Sequence, residues 1–188
     1  MDVIEEIVVV AGRDLALRRP RDPEELLDEE AFDADEYLPY WAELWPSGVA
    51  LAQSVGTRAL RGARVVELGC GLGLPSIAAA LAGGRVLATD WSHDALALLR
   101  ENAAANGAKL ETMHVDWREP QPLAAQAPFD LVLAADVLYE RANAERLADL
   151  LPRLGAEVLL ADPGRATLDA FLERVGTVWR RPPLYRLR

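Results

Sequence analysis

The residues best placed to do chemistry begin with an acid and three glycines. Glu67 is followed by Gly69, Cys70, Gly71 and Gly73 in the run Val65-Val66-Glu67-Leu68-Gly69-Cys70-Gly71-Leu72-Gly73-Leu74-Pro75. Glycines at alternate positions let the backbone turn tightly and approach a ligand closely. Pro75 marks the first turn of a helix beyond them. A strand, a glycine loop and a helix in that order make the place where nucleotide-like ligands bind at the C-terminal edge of a parallel sheet. The spacing is G-x-G-x-G, and Leu74 stands where the dinucleotide fingerprint G-x-G-x-x-G ends in glycine. Taken alone, such a loop also reads as a tight strand-to-helix turn with no ligand.

Three further stretches offer polar or aromatic groups at comparable points. Asp90 ends the next apolar run, and its two carboxylate oxygens suit two ribose hydroxyls. It equally suits the cap of the helix that follows, and NAD presents the same ribose hydroxyls. Asp116 and Trp117 offer a carboxylate for an exocyclic amine and an indole face for an adenine ring. A core tryptophan is the plainer alternative. Asp136 and Tyr139 lie in Ala134-Ala135-Asp136-Val137-Leu138-Tyr139-Glu140. A doubly wound sheet places that stretch beside the glycine loop, at its topological switch point; against this stands a turn capped by Asp136 with Tyr139 in the core.

Elements must hold these residues, and the sequence supplies them. From residue 63 onward, short β runs at 64–68, 85–89, 110–114, 131–134 and 157–161 alternate with helical stretches at 75–82, 93–106, 142–151 and 166–175. That alternation predicts an α/β fold: a doubly wound, mostly parallel, seven-stranded Rossmann-like sheet with helices on both faces. Two short strands bent at Pro182-Pro183 complete it within 177–188. Ahead of this core, segment 1–62 reads as an accessory layer: a hairpin of 3–10 and 14–18 turning at Gly12, a helix over 22–30 capped by Asp22, an aromatic stretch holding Trp41 and Trp45, and a helix over 48–60. With 188 residues, no internal repeat and no low-complexity linker, the chain reads as one domain, 1–188, with its core at 63–188.

Composition narrows the function. Twenty Lys and Arg residues against 30 Asp and Glu give a formal net charge of −10, which disfavours a nucleic-acid partner. Cys70 is the single cysteine and the histidines number two, His93 and His114, which argues against disulfides and a metal cage. The acidic first residues do not resemble a signal peptide, and no apolar run reaches the length of a membrane span. The expectation is a cytoplasmic protein.

Taken together, Glu67, the three glycines, Asp90 and Asp116-Trp117 resemble the class I, seven-β-strand S-adenosylmethionine-dependent methyltransferases. Trp41-Ala42-Glu43-Leu44-Trp45-Pro46-Ser47-Gly48, the Asp136 stretch and Asp162-Pro163-Gly164-Arg165 resemble its protein lysine methyltransferase branch, which includes the electron-transfer-flavoprotein lysine enzyme and bacterial proteins labelled nicotinamide N-methyltransferase-like. The resemblance implies S-adenosyl-L-methionine as cofactor and S-adenosyl-L-homocysteine as product. It implies that Trp45 flanks the cofactor, Gly69, Cys70 and Gly71 lie beneath its methionine part, Asp90 holds the ribose, Trp117 lies by the adenine and Ala135 gives a backbone contact. Asp136 and Tyr139 match an Asp-x-x-Tyr motif where the substrate amine meets the methyl group, with Trp41 as an aromatic wall. A protein with a basic or lysine-containing segment is the expected partner. A small amine or pyridine acceptor, or a catalytically silent cofactor-binding module, stands as the alternative. The last strands, 177–188, are shorter than the hairpin usual in that family.

Overall fold

The computed structural model describes residues 2–26, 39–155 and 157–187, without the side chains of 177–181. Its centre is a run of five parallel strands: β3 (Arg64–Leu68), β4 (Arg85–Asp90), β5 (Glu111–His114), β6 (Leu131–Ala135) and β7 (Val158–Ala161). Two more strands, β8 (Thr177–Arg181) and β9 (Leu184–Leu187), extend the edge, giving the order β5-β4-β3-β6-β7-β9-β8 with β9 antiparallel to both neighbours. The doubly wound α/β architecture expected above is the one observed. The chain steps outward from β3 to β5, then returns to pair β6 with the other side of β3. That reversal opens a crevice at the C-terminal ends of β3 and β6.

The inner strands are apolar on both faces because helices cover both. Val65, Leu131 and Leu133 pack with Leu51 and Val55 of α1 (Pro46–Gly56) and Ala79 of α2 (Leu74–Leu81). The alternate residues Val66, Leu68 and Val132 turn to the opposite layer, against Leu147, Leu150 and Leu154 of α5 (Arg141–Leu154) and Phe171 of α6 (Leu168–Val175). The buried positions of α5 recur every three or four residues, which keeps one stripe on the sheet. The helix runs past residue 151, with Pro152 in its last turn, where the lost N–H removes one hydrogen bond near the end. Helix α1 begins earlier than expected, at Pro46, whose missing N–H falls among the unpaired donors of a first turn. It ends at Gly56, and Leu60 instead bonds from its N–H to the Ala82 carbonyl on the way into β3. Of the helix expected over 22–30, Pro23–Leu26 forms a 3-10 turn, with the Glu24 N–H on Asp22 Oδ1 at 2.9 Å; 27–30 lie outside the described residues.

The N-terminal hairpin joins β1 (Val3–Val10) to β2 (Arg13–Pro20) through Ala11 and Gly12, both at positive φ. Its buried residues Leu15 and Leu17 pack on Leu96 and Leu99 of α3 (His93–Ala105). The outer edge of β2 is paired by side chains of that helix. Asn106 accepts from the Ala16 N–H at 2.9 Å and donates to the Ala16 carbonyl at 2.7 Å. Asn102 does the same with Arg18, at 2.8 and 3.0 Å. A four-residue helical step of about 6 Å matches a two-residue strand step of about 6.8 Å, so two amides one turn apart stand in for a neighbouring strand.

Candidate active site

The glycine loop leaves β3 and is pinned to β4 by the Cys70 N–H on the Thr89 carbonyl at 2.9 Å. Gly73 sits at φ +77° at the N-cap of α2, and a Cβ there would lie 2.0 Å from Leu99 Cδ1. At Gly71, φ is +50° and a Cβ would lie 3.1 Å from the Trp41 carbonyl. Left-handed backbone and close neighbours both demand glycine at these two points. At Gly69 the added atom would fall 3.3 Å from the Trp117 ring, so the loop's floor and the indole face each other closely.

Two buried acids stand behind the loop. Glu67 takes the Ser76 hydroxyl of α2 on Oε2, and burial pushes its carboxyl up to about 8 against the pull of the Ser76 hydroxyl and N–H, with Asp90 adding to the rise. Asp90 takes the Gly71 N–H on Oδ2 and the Ser92 N–H on Oδ1, each at 2.9 Å. Burial raises its carboxyl, although the N–H groups of Ser92, Gly71 and Trp91 and the nearby His114 pull the other way. Helix α3 is capped by Ser92, whose hydroxyl accepts the Ala95 N–H, and not by Asp90. Asp90 thus braces the glycine loop and keeps acceptor capacity toward the crevice. The Cys70 thiol, buried beside both acids, is pushed well above its ordinary value, first by burial and then by their charges. It remains a thiol.

Beyond β5, Trp117 packs partly on the core and partly lines the crevice, so both readings of it hold in part. Asp116 is bonded on both oxygens by Arg118, whose N–H donates to Oδ1 at 2.7 Å and whose Nε donates to Oδ2 at 2.8 Å. Partial burial raises that carboxyl, but the Arg118 hydrogen bonds and charge outweigh it and hold it below the ordinary range.

The opposite wall comes from β6 and the aromatic segment. Ala135 ends β6, and Asp136 follows at φ +59°, a conformation that aspartate tolerates better than most residues. Its carboxylate is buried and bonded to Arg165, with Nε at 2.7 Å from Oδ1 and Nη2 on the same oxygen. Tyr139 lies 5.0 Å, centroid to centroid, from Tyr40. Burial first, then the charges of Glu140 and Asp90, push its phenol up to about 12, so the hydroxyl stays protonated. Tyr40 in turn packs edge-on to Trp45, whose Nε1 donates to the Tyr40 carbonyl at 2.8 Å.

All of these surfaces enclose one open cavity of 320 Å³. Every residue expected at a site, from Trp41 and Trp45 through the loop and its acids to Asp136 and Tyr139, lines it. Sequence reasoning missed Tyr40, Trp91 and Arg118 in its lining and Arg165 behind Asp136. Trp91 was within reach, since it directly follows the acid that ends β4. Among the described residues, no three His, Cys, Asp or Glu side chains converge as metal ligands, and no helix is long and apolar enough to cross a membrane.

The cradle fits an adenosyl ligand: the loop has no room for a Cβ, two acids stand beneath it and an indole flanks it. Fold and crevice together have the form shared by Rossmann-like S-adenosylmethionine-dependent methyltransferases. A solved Thermus thermophilus 16S rRNA N2 G1207 methyltransferase, in complex with AdoMet and guanosine, superposes with a TM-score of 0.67 over 98% of this chain and 49% of that one. At 18% identity the likeness concerns the fold alone. Residues 37–165 match the family model described as lysine methyltransferase, and the chain belongs to that family. It is 36% identical over 140 residues to the electron transfer flavoprotein beta subunit lysine methyltransferase of Xenopus laevis, covering 70% of this chain and 55% of that protein. It is also 36% identical over 121 residues to mouse protein N-lysine methyltransferase METTL21A, covering 61% of this chain and 54% of that one. The chain spans about half the length of these curated relatives.

Proposed function

We propose that this protein methylates the side-chain amine of a lysine in a protein substrate. The observation that carries the reading is the meeting of Asp136 and Tyr139 at one wall of the cavity whose floor is the glycine loop. Residues 69–71, Asp90 and Trp117 would hold the methionine, ribose and adenine parts of S-adenosylmethionine. When bound, the cofactor supplies a methyl carbon on a sulfonium, to which an amine lone pair can bond as the carbon–sulfur bond breaks with its electrons on sulfur.

The protein's task is alignment and desolvation. A lysine amine with an ordinary pKa near 10.4 is about 3.4 units from neutral at pH 7, a cost of roughly 4.6 kcal/mol. Aromatic walls from Tyr40, Trp41 and Tyr139 strip water from the ammonium and favour its neutral form. Asp136 captures and orients the amine, and the Tyr139 hydroxyl oxygen accepts one of its N–H groups. Glu43 and Glu140 at the rim, with the net charge of −10, suit a basic protein segment and oppose a nucleic acid. A reducing, cytoplasmic setting agrees with a single buried cysteine.

The test is incubation with labelled S-adenosylmethionine and a host-cell extract, followed by identification of the labelled molecule. Label on a protein lysine is expected. Label confined to small amines would replace the protein acceptor with a small one, and no transfer from a protein that binds cofactor would leave a silent binding module.

A further inference from the structure

The carboxylate that meets the amine is not alone, and its partner comes from a different strand. Arg165 follows β7, and its loop is built to aim it. Asp162 Oδ1 accepts the N–H groups of Gly164 and Arg165, both at 2.8 Å, and the Thr167 hydroxyl ties the loop to the Leu138 carbonyl at 2.5 Å. From there both guanidinium donors converge on one oxygen, Asp136 Oδ1. Oδ2 carries no hydrogen bond among the described residues, and Asp136 lines the cavity whereas Arg165 does not. The Asp136 side chain is 6% exposed and that of Arg165 is 30%. The guanidinium therefore stands behind the carboxylate, with its Cζ also 5.9 Å from the Tyr139 ring centroid.

This placement answers a difficulty in the reading proposed above, on which the inference rests. A lone buried carboxylate beside a lysine would hold it as an ammonium, which has no lone pair to give. A guanidinium stays charged at every working pH and can balance the carboxylate permanently. The other ionisable groups around Asp136 do not do so. Tyr139 is a neutral phenol, Tyr40 packs beside it, and Glu43, Glu140 and Asp90 add negative charge; Arg118 and Arg146 line the cavity, but Arg118 is bonded to Asp116 and the charge of Arg146 acts there too. We propose that Arg165 is a positioning residue: it fixes the Asp136 carboxylate through Oδ1 and balances its charge, leaving Oδ2 to orient an acceptor amine without locking it as an ammonium.

The test needs no acceptor. The probes are S-adenosylhomocysteine and the S-adenosylmethionine analogue in which a carbon bearing a primary amine replaces the methyl-bearing sulfonium; calorimetry at pH 7 gives the ratio of their dissociation constants. In Arg165→Gln the unbalanced carboxylate faces the analogue's ammonium, so the analogue gains about tenfold over S-adenosylhomocysteine, because the repulsion between two cations at short range is gone. Asp136→Asn/Arg165→Gln abolishes that gain. Should Arg165→Gln not fold, the pair Asp136→Asn and Asp136→Asn/Arg165→Gln decides: the single variant leaves a bare guanidinium that repels the analogue, and the double variant recovers several-fold. An unchanged ratio in either comparison, with both ligands bound, makes Arg165 a loop latch and overturns the proposal while leaving the methyltransferase reading intact. Failure of the native protein to bind S-adenosylhomocysteine overturns that reading, and this inference with it.

Discussion

The two halves of the crevice are assembled in different ways. On the cofactor side, a short backbone loop does most of the work: Gly69, Gly71 and Gly73 shape it, and Asp90 at the end of β4 takes the Gly71 N–H directly. On the acceptor side, Tyr40, Tyr139 and Arg165 arrive from three separate segments and meet around Asp136 by side-chain contact. A backbone cradle has little freedom once its glycines are placed. A wall of side chains can change its acceptor by exchanging one partner, without disturbing the cradle.

The contrast can be broken most severely at Asp136 and Tyr139. Asp136→Asn and Tyr139→Phe are expected to cut methyl transfer by roughly 10²-fold or more, with S-adenosylhomocysteine affinity within about twofold of the native protein. Asparagine also tolerates the positive φ at that position. Label uptake by the acceptor under saturating cofactor measures the rate, and calorimetry measures the affinity. Wild-type rates in both variants would make the Asp-x-x-Tyr stretch structural.

On the other half, Gly73→Ala is expected to destabilise the fold by about 2–4 kcal/mol, from left-handed strain plus a collision with fully buried Leu99. Thermal unfolding reads this directly, and an unchanged midpoint would show that the loop yields more than its geometry allows. Asp90→Ala should weaken S-adenosylhomocysteine binding by about 1.5–3 kcal/mol in a folded protein. Equal affinity would remove Asp90 from the ribose site and leave it only as the brace on Gly71.

The last effect is a slope. Glu67 titrates near 8 in the folded chain against 4.5 as a free carboxyl. Below pH 4.5 the two states bind the same proton, so its contribution is fully present there. Between 4.5 and 8 the unfolded chain ionises while the native one does not, and stability falls as pH rises. Glu67→Gln should flatten that part of the stability curve. A slope that persists in the variant would place its origin elsewhere.

Much of the cofactor half was legible because its signals are local. Strand, glycine loop and helix follow one another within residues 64–81, and the acid ending β4 declares itself by position. Element ends shifted by a few residues where local chemistry decided them, as at Pro46 and Gly56. The acceptor half was legible only as parts. Arg165 stood in a noticed motif, yet its contact with Asp136 spans 29 positions and depends on β6 and β7 lying side by side. Nothing in spacing alone could reveal that the guanidinium and the cavity lie on opposite sides of one carboxylate. The short α4 (Gln121–Ala124) was missed for a related reason, since one helical turn carries no periodicity.

The amides of Asn102 and Asn106 have a consequence of another kind. A two-stranded ribbon exposes rows of donors and acceptors that invite a second ribbon to dock, the first step toward aggregation. Here α3 occupies those groups at Ala16 and Arg18, and Gln53 of α1 does likewise for β1 at Val9 and Ala11. Three uncharged side chains thus guard a ribbon whose outward residues include Ile7 and Val9. Their service is to colloidal stability: they satisfy the β2 edge at Ala16 and Arg18 and the turn end of β1 within the molecule itself, which leaves less of the ribbon open to a neighbouring copy.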